Sequence, residues 1–407
     1  MKRYKVLFVT ITAFGLLAPS LLSAQMTWTQ ATSSAGWARR FCHSSVVFDN
    51  KIWVIGGDAI GGVRNDVWYS TNGADWTQAI DSAGWGKRWG HSSVVFDNKI
   101  WVMGGMNASI RKNDVWYSTN GVDWIQATDS AEWSTRYGLK SIVFDNKIWV
   151  IGGNVGPHRM NDVWYSTNGI NWICATDSAE WEGRCDHQLV VFDNKMWIIG
   201  GFSYGGKNDV WYSTNGVNWT QATANANWSA RYSHTSVVLD DKMWVIGGAA
   251  TQYKRDAWYS TDGITWIQAI AEANWSARDY HTSVVFDNKI WIMGEYDGDR
   301  RNDVWYSTGL NGVEEKPELL SVDPLPLEVY PNPAKSFLTI RLPRSADRSE
   351  IKIFDLSGKI VKEIRDCFPE SGRNDNVVRV SLDGIKNGIY FVRADNFNQI
   401  IKIIVTK

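Results

Sequence analysis

Three carboxylates, Asp186, Asp279 and Glu295, stand where the rest of this 407-residue chain repeats itself. Paired carboxylates at a set separation carry glycoside hydrolysis, one as acid and one as base or nucleophile. A tyrosine can replace the nucleophile, and Tyr137, Tyr232 and Tyr280 are of that type. No base is paired with them by sequence position, so Glu295, Asp186, Asp279 and Tyr280 are catalytic candidates by residue type alone. A binding chemistry has more residues behind it. Arg40, Arg88, Arg136, Arg184, Arg231 and Arg278 recur at steps of 47 or 48 residues. Guanidinium groups pair with carboxylate or phosphate, yet a sixfold ring is expected first as a structural device, pairing with carbonyls or acids between units. The residues that follow break the pattern: Phe41, Trp89, Tyr137, Cys185, Tyr232 and Asp279, then Cys42, Gly90, Gly138, Asp186, Ser233 and Tyr280. Leu139-Lys140 and Gln188-Leu189 also depart from it. Aromatic faces beside arginines suit a sugar or an acidic group. The candidate ligand residues are therefore Arg40, Phe41, Arg88, Trp89, Arg136, Tyr137, Arg231, Tyr232, Arg278 and Tyr280.

Neither a metal nor a cofactor is expected. His43, His91, His187, His234 and His281 recur with the repeat, and that spacing holds imidazoles too far apart for one ion. Cys42, Cys174, Cys185 and Cys367 match no metal motif and no compact disulfide framework, although a Cys174–Cys185 bridge is possible.

The repeat must position these groups. Aligned on Trp37, Trp85, Trp133, Trp181, Trp228 and Trp275, the steps are 48, 48, 48, 47 and 47 residues. Each unit holds four short runs, such as HSSVVFD (43–49), IWVIGG (52–57), NDVWYS (65–70) and WTQA (76–79). They are rich in Val, Ile, Trp and Tyr, and Asn, Asp and Gly punctuate them, so they predict strands joined by tight turns. Four strands at a period in the forties predict a propeller blade. The fourth run also occurs once before the first unit, as WTQAT around Trp28, and is missing after the last. The N-terminal strand is thus expected to complete the sixth blade and close the ring. The expected fold is all-β: a six-bladed β-propeller closed by an N-terminal outer strand, followed by a small C-terminal β-sandwich.

Four tryptophan positions are filled six times, and Trp89 alone stands outside them. A set that large predicts an inter-blade core rather than sugar platforms. The Trp37 class is left open between core and surface, and Trp89 is the expected ligand contact. Strand alternation puts the DNK and TNG turns on one face. The variable second-to-third loops and the blade linkers share the other, where a ligand site is expected near the central channel.

Residues 25–309 resemble the kelch family of β-propellers, through Arg40, His43, Gly56-Gly57, Asp66, Trp68, Trp76 and their equivalents. Leu139 replaces the histidine in the third repeat, and Gly294-Glu295 replaces the double glycine in the sixth. The resemblance implies the fold, while such propellers serve as enzymes and as binding modules alike. They include sialic-acid mutarotases and galactose oxidases, but the Tyr–Cys copper site of the oxidases has no matching constellation here. STDGITW (260–266) is similar to the Asp-box of sialidases and other glycan-handling propellers, and the other five copies carry Asn in its place. That motif is a turn device. The expected function is a non-catalytic glycan- or protein-binding module. The alternatives are a carbohydrate-active enzyme of sialidase or mutarotase type, and a structural or adhesion protein.

A net charge of −1 argues against a nucleic-acid partner. Residues 1–24, with Lys2, Arg3 and Lys5 before an apolar run, read as a cleaved secretory signal. No later segment is long and apolar enough to span a membrane, and the propeller is expected as a monomer. Residues 310–326 read as a linker. Residues 327–407, with alternating apolar residues and Asn-Pro, Ser-Gly and Asn-Gly turns, predict the sandwich. This segment resembles the C-terminal sorting domain of type IX secretion cargo of the Bacteroidetes. The matching residues are Tyr330, Pro331, Asn332, Pro333, Asp355-Leu356-Ser357-Gly358, Gly388, Tyr390, Lys402 and Lys407. The resemblance implies contact with that machinery and export through the periplasm to the surface or medium. Asp-Ser-Ala at 81–83, 129–131 and 177–179 resembles the O-glycosylation motif of the same bacteria.

Overall fold

The computed structural model describes residues 26–308 without a break, and beyond them 328–330, 336–341, 349–355, 360–367, 377–394 and 400–405. The expected leader 1–24 and linker 310–326 lie outside the described residues, as do Pro331, Asn332, Pro333 and Lys407. The chain divides into two compact units, 1–313 and 314–407. Every regular element among the described residues is a strand.

The first unit is a six-bladed propeller. Blade 1 runs from the inner strand Ser44–Phe48 through Lys51–Ala59 and Gly62–Ser70 to the outer strand Thr77–Ile80. Its first hairpin turns on Asp49 and Asn50 at φ 49° and 52°, the left-handed pair that matches the twist of flanking strands. In the turn between the third and fourth strands, Asn72 Oδ1 accepts the Ala74 and Asp75 N–H groups at 2.9 Å. In blade 5, Asp262 Oδ1 accepts those of Ile264 and Thr265 at 2.8 Å. Asn and Asp therefore do the same work in this turn. Gly73 must be glycine: a Cβ there would lie 2.0 Å from the Trp291 ring of blade 6.

Blades meet through six apolar clusters, one per interface, and tryptophans dominate each. The Trp37 class, left open by the sequence, belongs to this core. Trp37, Trp85, Trp133, Trp181, Trp228 and Trp275 are at most 1% exposed. Each meets the outer-strand tryptophan of its own blade edge to face, as Trp37 meets Trp76 at 5.9 Å.

The ring closes as the orphan strand predicts. Thr27–Thr32 pairs antiparallel with Arg300–Thr308, Trp28 opposite Ser307, and completes blade 6. Trp28 packs edge to face on Trp275 at 5.8 Å.

In the second unit, one sheet holds Glu328–Tyr330, Phe337–Arg341 and Val377–Ser381. The other holds Ile360–Cys367, Ser349–Phe354, Gly388–Ala394 and Ile400–Val405. Both contribute to one apolar cluster, with Leu338, Ile340 and Val380 from the first and Ile351, Ile353 and Val392 from the second. Of the sorting residues, Tyr330, Gly388 and Lys402 lie on strands. Tyr390 is buried and donates its hydroxyl to the Lys386 carbonyl at 3.0 Å.

Candidate functional site

The six arginines point inward. Each is fully buried, and Arg40 shows the pattern. Its Nη1 and Nη2 reach Asp66 Oδ1 and Oδ2 at 2.7 and 2.8 Å, and Nη1 also donates to the Gly56 carbonyl at 2.9 Å. Arg88, Arg136, Arg184, Arg231 and Arg278 do likewise with Asp114, Asp162, Asp209, Asp256 and Asp303. The pairing runs within a blade, between linker and third strand, and not between blades as the sequence suggested. Arg40, Arg88, Arg136, Arg231 and Arg278, candidates by sequence, are thus buried and already committed to carboxylates. The backbone beside them does cross between blades, as where the Gly57 N–H donates to the Arg88 carbonyl at 2.9 Å.

Two residues past each arginine, the backbone closes a ring around the channel. Cys42 N–H donates to Tyr280, Gly90 to Cys42, Gly138 to Gly90, Asp186 to Gly138, Ser233 to Asp186 and Tyr280 to Ser233, at 2.8 to 3.3 Å. All six residues hold φ between 51° and 63°. That conformation costs little for Gly90 and Gly138 and is strained for Cys42, Ser233 and Tyr280. The sequence marked these six as irregular, and the structure brings all of them together.

Asp186, Tyr280, Cys42 and Lys140 share a cavity of about 50 Å³ at this ring. Burial raises the Asp186 carboxyl, and the Lys140 charge opposes that rise. Burial, with Asp186 nearby, brings Asp279 to about 7. The Asp186 charge and burial push the Tyr280 phenol up, and burial pushes up the Cys42 and Cys185 thiols. The phenol and both thiols therefore stay protonated, which is unlike an activated nucleophile. Cys42, Cys174 and Cys185 are free thiols, so the Cys174–Cys185 bridge is absent.

Glu295 lies inside blade 6, fully buried, and ion-pairs with Arg278. It accepts a hydrogen bond from Ser276 Oγ at 2.6 Å. Arg278 holds Asp303 more loosely than its equivalents do, with Nη1 to Oδ1 at 3.3 Å. Burial raises the Glu295 carboxyl to about 8 against the pull of Arg278. An acid whose folded value is raised loses stability as pH climbs from its unfolded value to the folded one. Glu295→Gln removes that loss, so its melting temperature should gain on the wild type between about pH 5 and 8. A gap that stays constant across that range would refute the assignment.

Around the ring, the variable face carries a belt of aromatics. Trp89 and Tyr137 meet at 5.1 Å, Phe202 and Tyr232 at 5.0 Å, Phe41 and Tyr296 at 5.3 Å, and Phe41 and Tyr280 at 5.9 Å. Arginines from the second-to-third loops lie over them. Arg111 sits 5.7 Å from Tyr137, Arg159 4.6 Å from Phe202 and 5.0 Å from Tyr204, and Arg300 5.0 Å from Phe41. Short bridges hold the belt in place, pairing Phe41 with Asp58, Trp89 with Met106 and Tyr137 with Asn154. Arg111, Arg159 and Arg300 were not among the sequence candidates. Their signal is in the spacing, since each lies three residues before the aspartate that its blade arginine binds.

A closed ring of blades with a differentiated channel mouth defines a propeller of the repeat type. The chain belongs to the Kelch-repeat family. The KLHDC2/KLHL20/DRC7 Kelch-repeats domain matches residues 85–248 and 167–308, together more than half of the chain. The secretion system C-terminal sorting domain matches residues 328–406. That domain marks the chain as type IX secretion cargo and places it outside the cell, secreted or at the surface. No curated protein matches the chain. No helix among the described residues is long and apolar enough to cross a membrane.

Proposed function

We propose that this is a non-catalytic binding propeller that takes a saccharide at the aromatic belt of its variable face. The observation that carries the reading is the belt itself. Elsewhere the blades are near copies, but here aromatic rings and guanidinium groups differ from blade to blade around one channel mouth. Tyr204 is 77% exposed, and Trp89 and Tyr137 are half-buried, so ring surface is open for stacking. The protonated phenol and thiols, and the burial of Glu295, weigh against a hydrolase. The route proposed is a cleaved N-terminal signal, passage through the periplasm, and a monomeric propeller delivered by its sorting domain.

A glycan array probed with the chain from residue 25 onward tests the reading. Trp89→Ala and Tyr137→Ala should each weaken a hit about tenfold or more, with melting temperature little changed. A hit indifferent to both variants would move the ligand off this mouth. A blank array alongside capture of a defined protein would replace the saccharide with a protein partner.

A further inference from the structure

Past the ring of backbone hydrogen bonds, the channel widens between the inner strands into a chamber of about 190 Å³. Seryl and threonyl hydroxyls line most of it, with His43, His91, His281 and Gln188. Lys140 is the only Lys or Arg on its wall, and neither Asp nor Glu borders it. Lys140 departs from the repeat, because the other blades place Ser44, Ser92, Gln188, Thr235 and Thr282 there.

In two blades a hydroxyl at that position bonds the histidine of the next blade. His91 Nε2 meets Ser44 Oγ of the preceding blade at 2.8 Å, and His43 Nε2 meets Thr282 Oγ1 at 3.0 Å. At the third blade that position holds an ammonium, and His187, like His234 and His281, has neither ring nitrogen bonded. The buried hydroxyls of Ser45, Ser93 and Ser236 and the Nε2 of His281 are also unpartnered, and all of them line the chamber. Asp186, the carboxylate whose charge bears most on Lys140, borders the smaller cavity at the ring, which Lys140 also lines, and the two form no ion pair among the described residues. Lys140 is half-buried, and Asp186 opposes its charge without an ion pair to it. An ammonium drawn out of bulk water with no bonded counter-charge is costly, and water satisfies hydroxyls without neutralising it.

We infer that this chamber binds a small inorganic anion, a halide or an oxyanion of sulfate or phosphate size, with Lys140 as its counter-charge and the orphaned hydroxyls as donors. A water occupies about 30 Å³, so the space admits an ion with part of its hydration. A chain of sugars does not fit, which makes this site separate from the saccharide reading of the mouth.

The test uses the purified full chain at low ionic strength in a halide-free zwitterionic buffer. Sodium chloride, sulfate and phosphate are each titrated while melting temperature and heat of binding are followed. At least one anion should raise the melting temperature along a saturable curve, unlike the unsaturating rise that sulfate gives by exclusion from the surface. Lys140→Ser, which restores a residue type found in other blades, should fold, lose the saturable rise and bind at least tenfold more weakly. Without anion, it should melt no lower than the wild type. Asp186→Asn should bind the anion as tightly as the wild type or more so. Identical titrations in the wild type and Lys140→Ser would overturn the site. So would a flat wild type in which Asp186→Asn creates anion dependence, since Asp186 would then be the counter-charge of Lys140.

Discussion

Trp28→Ala is expected to cost about 3–5 kcal/mol, the range for removing a large buried aromatic side chain. It is also expected to open the ring. Trp28 is 4% exposed and packs on Trp275, and its carbonyl accepts a hydrogen bond from Asn274 Nδ2 at 3.0 Å. Trp219 is a matched control, equally buried at the same position of blade 4. The strand that follows Trp219, Thr220–Thr223, is tied to its neighbour by a hairpin turn. Thr27–Thr32 has no such tether, because its partner strand comes from the other end of the propeller. When its contacts weaken, the entropy of closing a very long loop is no longer offset. Trp219→Ala should therefore lower the denaturation midpoint and leave hydrogen exchange in blade 6 protected. Trp28→Ala should lower the midpoint and also expose the amides of Arg300–Thr308 to fast exchange. A peptide spanning residues 25–34, added in trans to a chain lacking residues 25–32, should restore the protection. Equal exchange in the two variants would show that the orphan strand is not the clasp.

Asp114→Ala should cost about 3–5 kcal/mol, because it leaves the Arg88 guanidinium buried and unpaired. Arg88 Nη1 and Nη2 bond Asp114 Oδ1 and Oδ2, both at 2.8 Å. Replacing both partners together with apolar residues should cost much less, since the penalty comes from the stranded charge. The same geometry sets a pH dependence. Burial alone raises the carboxyls of Asp66, Asp114, Asp209 and Asp256, but the hydrogen bonds and charge of their arginines outweigh it and hold them below 3.8. A depressed folded value adds stability that is present above the unfolded value and lost as pH falls through the folded one. Asp279 and Glu295 act in the opposite sense, losing stability as pH rises toward about 7 and about 8. The denaturation midpoint should therefore peak near pH 5, fall gently toward pH 8 and drop steeply below about pH 4. A midpoint that holds to pH 2.5 would contradict the aspartate assignment.

The sequence could be read for the repeat because each signal is local or periodic. Asp49-Asn50 specifies a left-handed hairpin turn, Val and Trp runs specify strands, and the 47- or 48-residue step specifies the blade. Counting the outer strands was enough to predict closure through Trp28. The sorting domain was legible from short motifs around Tyr330, Gly388 and Tyr390.

The site was legible only in part. The residues after each arginine were marked by their irregularity, and they do line one mouth. The arginines themselves were ambiguous, because a guanidinium of the same type suits a buried carboxylate and a ligand equally. The partner of Arg40, Asp66, lies 26 residues away, and only the bend of the blade brings the two together. The aromatic belt joins residues from different blades, as Arg111 lies over Tyr137. The proposed anion chamber depends on Lys140 sharing one cavity with His43, His91, His281 and the hydroxyls of other blades. Strand period, turn chemistry and blade count follow from neighbours along the chain, and so the sequence by itself determined them. Which charges are neutralised and which face a cavity depends on distances across the ring, so only the tertiary structure decided it.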